Sequence, residues 1–123
     1  MTSRILVIED DADVGRLVCA RLRSAGYQPQ LAPDAVTGLQ AARRTLPDLV
    51  VLDLNMPDVG GVEVIDFVRA QDNLRTLPIL VVTTRGDDAS KDRVMAAGAS
   101  GFLTKPFAPP QLLDEVRRLL ATP

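Results

Sequence analysis

Four stretches of this chain set chemically able residues directly after an apolar run. Glu9, Asp10 and Asp11 follow Ile5-Leu6-Val7-Ile8, and Asp53 follows Leu49-Val50-Val51-Leu52. Thr83 and Thr84 follow Ile79-Leu80-Val81-Val82, and Lys105 comes after the short stretch Gly101 to Thr104, just before Pro106. Clustered carboxylates repel one another and are costly unless a cation sits among them. The chain has no histidine, which removes Ser-His-Asp and Cys-His catalysis and histidine metal ligands. Oxygen ligands remain, and they suit Mg²⁺ or Mn²⁺. In such a centre Asp10 and Asp53 are expected to bind the ion directly, Glu9 through water, and the backbone carbonyl of Asn55 to complete the set. A carboxylate can attack a phosphoryl group to give an aspartyl phosphate. The charge on the three oxygens of the group in transit would be met by the ion, by the Lys105 ammonium, and by the Thr83 hydroxyl with a backbone N–H. These residue types describe a phosphoryl-transfer site with Asp53 as acceptor.

Such a site forms only if the fold brings those four positions to one place. Between the apolar runs lie helical patterns. Val14, Leu17, Val18 and Leu22 recur at helical spacing before a capping Gly26. Asp34 can cap a helix carrying Val36, Leu39 and Ala42, which Pro47 ends. After a turn region from Pro57 to Gly61, Val64, Ile65 and Val68 mark another helix. A polar helix is predicted from about Asp87 to Ala97, stopped by Gly98. Pro109 and Pro110 open a last one with Leu112, Leu113, Val116, Leu119 and Leu120 on one face. Gln28 to Ala32 is a weaker strand candidate. The pattern is five repeats of strand then helix, with central strands continuously apolar, as expected when helices cover both faces of a sheet. This predicts an α/β, doubly wound, five-stranded parallel sheet of flavodoxin-like type. With strand order 2-1-3-4-5, Asp10 and Asp53 flank the gap where the winding reverses, and ligands of such sheets bind at the carboxyl ends of the strands.

Composition narrows the class of function. The 123 residues suffice for one domain, read here as residues 1–123. Hydrophobic residues make up 46% and charged residues 24%, normal for a globular protein. The net charge of −2, from 14 basic and 16 acidic residues, gives no support to direct nucleic-acid binding. The single cysteine, Cys19, excludes an internal disulfide and reads as a small core residue. The start MTSRILVIEDD turns acidic too early for a signal peptide, and no apolar run approaches membrane-spanning length. A cytoplasmic protein without membrane association is expected.

Taken together, ILVIEDD, DLVVLDLNMPDVGG, PILVVTT and GASGFLTKPF, in this order and each at a strand end, resemble the response-regulator receiver domain over essentially the whole chain. The resemblance implies a two-component phosphorelay module that takes a phosphoryl group from a sensor histidine kinase or a histidine phosphotransfer protein. It would not be an enzyme beyond catalysing its own aspartyl phosphorylation and dephosphorylation. By resemblance Asp53 is phosphorylated, Glu9 and Asp10 hold the metal, Thr83 is the switch hydroxyl, Lys105 contacts the phosphate, and the Lys105–Pro106 bond is cis. Phe102 takes the aromatic switch position, often tyrosine, and has no hydroxyl to bond. Asn55 and Arg85 take positions that tune dephosphorylation. Thr84 stands where a very small residue is usual, and its bulk beside Asp53 is expected to slow phosphoryl access or hydrolysis. Residues 99–102 read Ala-Ser-Gly-Phe, whereas many DNA-binding regulators carry an acidic pair at the middle two positions, which argues against dimerisation in their manner. The resemblance also implies a downstream protein partner, or a covalently linked output domain that this chain does not contain.

Plainer readings stand beside these. Asp11 reads as a helix cap, Thr83 as a residue bonding local backbone, Lys105 as a surface charge, Phe102 as a half-buried core aromatic, and Gly60-Gly61 as a tight turn. A docking module of the same fold that works without phosphorylation is the main alternative, left open by Thr84. A phosphatase would want an acid two residues after its aspartyl nucleophile, where Asn55 stands. A flavin protein would want a Ser/Thr/Gly-rich loop after the first strand, where the acidic residues stand.

Overall fold

The computed structural model describes residues 2–56 and 58–121; Pro57, the start of the predicted turn region, lies outside them. Strand β1 (Arg4–Ile8) leads into α1 (Ala12–Ser24), β2 (Gln28–Ala32) into α2 (Ala35–Thr45), and β3 (Leu49–Asp53) into α3 (Gly61–Ala70). After a 3₁₀ turn at Asp72–Leu74 come β4 (Ile79–Thr83), α4 (Asp88–Ala97), β5 (Gly101–Thr104) and α5 (Pro109–Ala121). All pairings are parallel, in the order β2-β1-β3-β4-β5.

The apolar runs explain this arrangement. Every residue of β3 and β4 is buried, so each strand must be covered on both faces. Alternate side chains feed two separate cores. Ile5, Val7, Leu49, Val51, Leu80 and Val82 pack with Val18, Cys19 and Leu22 of α1 and Leu112, Val116 and Leu119 of α5. Leu6, Ile8, Val50, Leu52, Ile79 and Val81 pack against α2, α3 and α4. Strand β2 forms one edge of the sheet, and its Gln28 N–H donates to Ser3 O at 2.9 Å. With parallel pairing the next residue, Pro29, turns its nitrogen outward, on the side where no strand follows.

The helix ends follow the cap chemistry with small shifts. Asp11, Asp34 and Asp87 are N-caps, so the predicted Asp87–Ala97 helix begins one residue later. The C-cap of α1 is Ala25, and Gly26 follows it at φ +95°. Helix α2 leaves through Leu46 in the left-handed region at φ 48°, just before Pro47. Leu17 and Val36, expected on the apolar faces, are 58% and 50% exposed, because the buried stripes run through Gly15, Val18, Cys19 and Leu22 and through Ala35, Gly38, Ala41 and Ala42, and at about 100° per residue both positions lie well away from them. At the edge of the sheet opposite the carboxyl ends, the half-buried Arg69 guanidinium donates to the carbonyls of Gly98, Leu77 and Arg75.

Leu80 is fully buried at the centre of the α1/α5 core. Leu80→Ala is expected to lower the unfolding free energy by about 3 kcal/mol in urea titration; a loss below about 1 kcal/mol would contradict this packing.

Candidate functional site

Because β1 and β3 are neighbours, their carboxyl ends deliver Glu9, Asp10 and Asp53 to one spot. One carboxylate oxygen from each lies within 4.8 Å of the others. Glu9 continues the sheet by donating its N–H to Ala32 O at 3.0 Å, which sends its side chain inward; it is 4% exposed. Asp10 is exposed and Asp53 buried. Asp11 turns away, accepting the N–H groups of Asp13 and Val14 at the start of α1. Its own N–H donates to Glu9 Oε2 at 3.3 Å.

Lys105 reaches into this cluster from the far side of β4. Its N–H donates to Thr83 O at 2.7 Å, extending the sheet past β5, and the Lys105–Pro106 peptide bond is cis. Its Nζ lies 2.6 Å from Glu9 Oε1 and 3.7 Å from Asp53 Oδ1. Three carboxylates thus gather around one ammonium that pairs with two of them, Glu9 and Asp53, leaving a formal charge of −2. Glu9 shows the stress. Burial raises its pKa above the usual 4.5, the neighbouring Asp53 adds to the rise, and Lys105 opposes it.

The remaining predicted residues lie around this centre. The Asn55 N–H donates to Asp53 Oδ1 at 3.2 Å. Thr83 is fully buried, and its Oγ1 accepts the Arg85 N–H at 3.0 Å; it makes no hydrogen bond to Asp53. This is the local backbone bond of the plainer reading. Thr84 and Arg85 are exposed. Thr84 lines an apolar groove beside Lys105 that Leu17, Phe107 and Leu112 share. Phe102 is half-buried and packs against the α2–α4 core. One residue went unnoticed in the sequence: Asp58, whose carboxylate accepts the N–H groups of Ala35 and Val36. Those partners lie more than twenty positions away, so no local pattern could reveal it.

Hard oxygen donors with excess negative charge fit a divalent cation such as Mg²⁺, which takes one or two carboxylates and keeps several waters. Among the described residues, no helix is long and apolar enough to cross a membrane.

Comparison with known proteins agrees with the geometry. The family model of the response regulator receiver domain matches residues 5–117. The phosphate regulon transcriptional regulatory protein PhoB of Escherichia coli is 32% identical over 98% of this chain and 52% of its own length. The transcriptional regulatory protein PrrA of Mycobacterium tuberculosis is 37% identical over 95% of this chain and 49% of its own. The chain thus spans about half the length of the curated relatives it matches. The chemotaxis response regulator CheY4 of Vibrio cholerae superposes with a TM-score of 0.92 at 33% identity, over 97% of this chain and 99% of that one. The receiver domain of the sensor histidine kinase PA1611 of Pseudomonas aeruginosa, solved with a magnesium ion in its active-site cleft, gives 0.92 at 28% identity, over 99% of this chain and all of that one. The sheet order, the acidic edge and these matches lead to one conclusion: the chain belongs to the response regulator receiver domain family, the receiving modules of two-component signalling.

Proposed function

We propose that this chain, as a receiver domain over residues 1–123, accepts a phosphoryl group on Asp53 from a phosphohistidine of a sensor kinase or phosphotransfer protein. The observation that carries the reading is the Lys105 ammonium set between Glu9 and Asp53, with Asp10 completing the acidic cluster. An Asp53 oxygen attacks phosphorus, the N–P bond to the donor imidazole breaks, and the imidazole nitrogen keeps the electron pair. Asp10 and Asp53, with Glu9 through water and the Asn55 carbonyl, would hold Mg²⁺ or Mn²⁺. The bound ion supplies positive charge that lets a negative phosphoryl group approach the carboxylates. Lys105 meets a second phosphoryl oxygen, which draws it from Glu9. The Thr83 hydroxyl meets the third once it gives up the Arg85 N–H.

The added charge then acts at a distance. Movement of Thr83 toward the phosphate opens space for Phe102 to turn inward, and the surface of α4, β5 and α5 changes its affinity for partners. The partner is a separate protein or an output domain in the same polypeptide, as the names of the longer transcriptional regulatory relatives suggest. Neither nucleic acid nor membrane is contacted directly by this domain, and the cytoplasm is where it works. Arg85 and Thr84, both exposed, tune how long the phosphoryl group lasts.

With acetyl phosphate and Mg²⁺, phosphate-affinity electrophoresis is expected to show a shifted band that Asp53→Ala abolishes. An unshifted wild type, or a shifted variant, counts against the assignment. Lys105→Ala is expected to slow the shift by about 100-fold. Thr83→Ala is expected to take up phosphate but leave the Phe102 ring resonances where they are in the unphosphorylated protein.

Titration of Glu9 offers a separate check. Its folded-state pKa lies above the unfolded one, so the metal-free native state binds the extra proton. Stability is then full below pH 4.5 and declines as pH rises toward the raised value. At neutral pH Glu9→Gln is expected to raise the melting midpoint of the metal-free protein in scanning calorimetry, and to weaken the further rise that Mg²⁺ produces. A lower midpoint in the metal-free variant would show that the ion pair with Lys105 outweighs the crowding of carboxylates.

A further inference from the structure

The segment from Asn55 to Gly60 joins β3 to α3 and touches the site through the Asn55 N–H on Asp53 Oδ1. Its far end is pinned by packing. Gly61 opens α3 so close to Leu54 that a Cβ there would lie 2.3 Å from Leu54 Cδ1 and 3.1 Å from its Cα. The middle is held differently. Asp58 Oδ1 accepts the Ala35 N–H at 3.2 Å and Oδ2 accepts the Val36 N–H at 3.1 Å. Leu54, between β3 and the segment, donates its N–H to Val82 O of β4 at 3.3 Å; from Asn55 onward, among the described residues, the Asp58 bonds are the ones that reach beyond β3 and α3.

Helix α2 has its own cap. Asp34 accepts the Thr37 N–H at 2.7 Å, and its carbonyl accepts the Gly38 N–H at 3.0 Å. Asp58 takes the two first-turn donors that Asp34 leaves. Desolvation works against its charge, yet the N–H groups of Val36 and Ala35 hold its carboxyl below the usual carboxylate range. It is therefore ionised, as a helix N-terminus favours. Two acidic residues thus serve one helix end, and one of them is delivered by the loop that follows the acceptor aspartate.

We propose that Asp58 is a positioning residue: by clasping the start of α2 it anchors the chain that follows Asn55, so that the Asn55 carbonyl is set for the cation held by Asp10 and Asp53. The idea rests on the Mg²⁺-dependent reading above. Asp34→Ala is the matched control, since it removes a cap and a charge from the same helix end without freeing the segment.

Two measurements on wild type, Asp58→Ala and Asp34→Ala decide it. The first is calorimetric Mg²⁺ titration in about 0.15 M salt, where charges beyond about 8 Å are largely screened. The second is amide hydrogen exchange of the metal-free proteins. Asp58→Ala is expected to raise the Mg²⁺ Kd about tenfold and to speed exchange at Asn55, while Asp34→Ala leaves both near wild type. Equal Kd shifts in the two variants, or unchanged Asn55 exchange in Asp58→Ala, would overturn the proposal. A wild type that takes up no Mg²⁺ removes the metal reading by itself, and Asn55 exchange then still reports whether Asp58 holds the segment.

Discussion

One ammonium group organises the carboxyl edge of this protein. Lys105 stands after β5, yet its charge is placed at the ends of β1 and β3, across the full width of β4. Carboxylates as enclosed as those of Glu9 and Asp53 could not be tolerated without a partner, because the loss of hydration is not repaid by the protein interior. The lysine repays part of it. What it leaves is a deficit of positive charge in a place shaped by three strand ends. A divalent cation can meet that deficit.

The central strands make this possible by being apolar up to their ends. The side chains of β3 and β4 are committed to two cores, so a polar residue within them has room only where the strand stops. Chemistry at the rim and packing in the interior are consequences of the same pattern of residues. The Arg69 guanidinium, gathering carbonyls at the opposite rim, keeps the other end of the sheet closed in the same economical way.

This division also explains what could be read in advance. Strand positions and the meeting of Glu9, Asp10 and Asp53 were legible, because continuous apolar runs mark buried parallel strands and their ends mark the rim; the strand order, which the structure bears out, came with the resemblance and not from the runs themselves. Caps such as Asp34 and Asp87 were legible because they act within a few residues. Asp58 and Arg69 were not: their partners are distant in the chain and depend on how α2, α3 and α4 dock. Leu46 with positive φ and the 3₁₀ turn at Asp72–Leu74 were not, since tertiary fit there overrides local preference. Thr83 lay between the two cases. Its position at the rim was plain, but that its hydroxyl accepts the Arg85 N–H follows from the local turn.

The proline in the edge strand has a wider effect. An open sheet border normally invites a neighbouring chain to add a strand, and Pro29 withdraws the donor that such an invader would need. The other border, β5, is only four residues long. Zipper-like association along the backbone is therefore discouraged at both flanks, and crowding at high concentration should not drive fibre growth from them. Whatever recognises this molecule must read side chains on its helices and rim loops, which substitutions can retune one at a time.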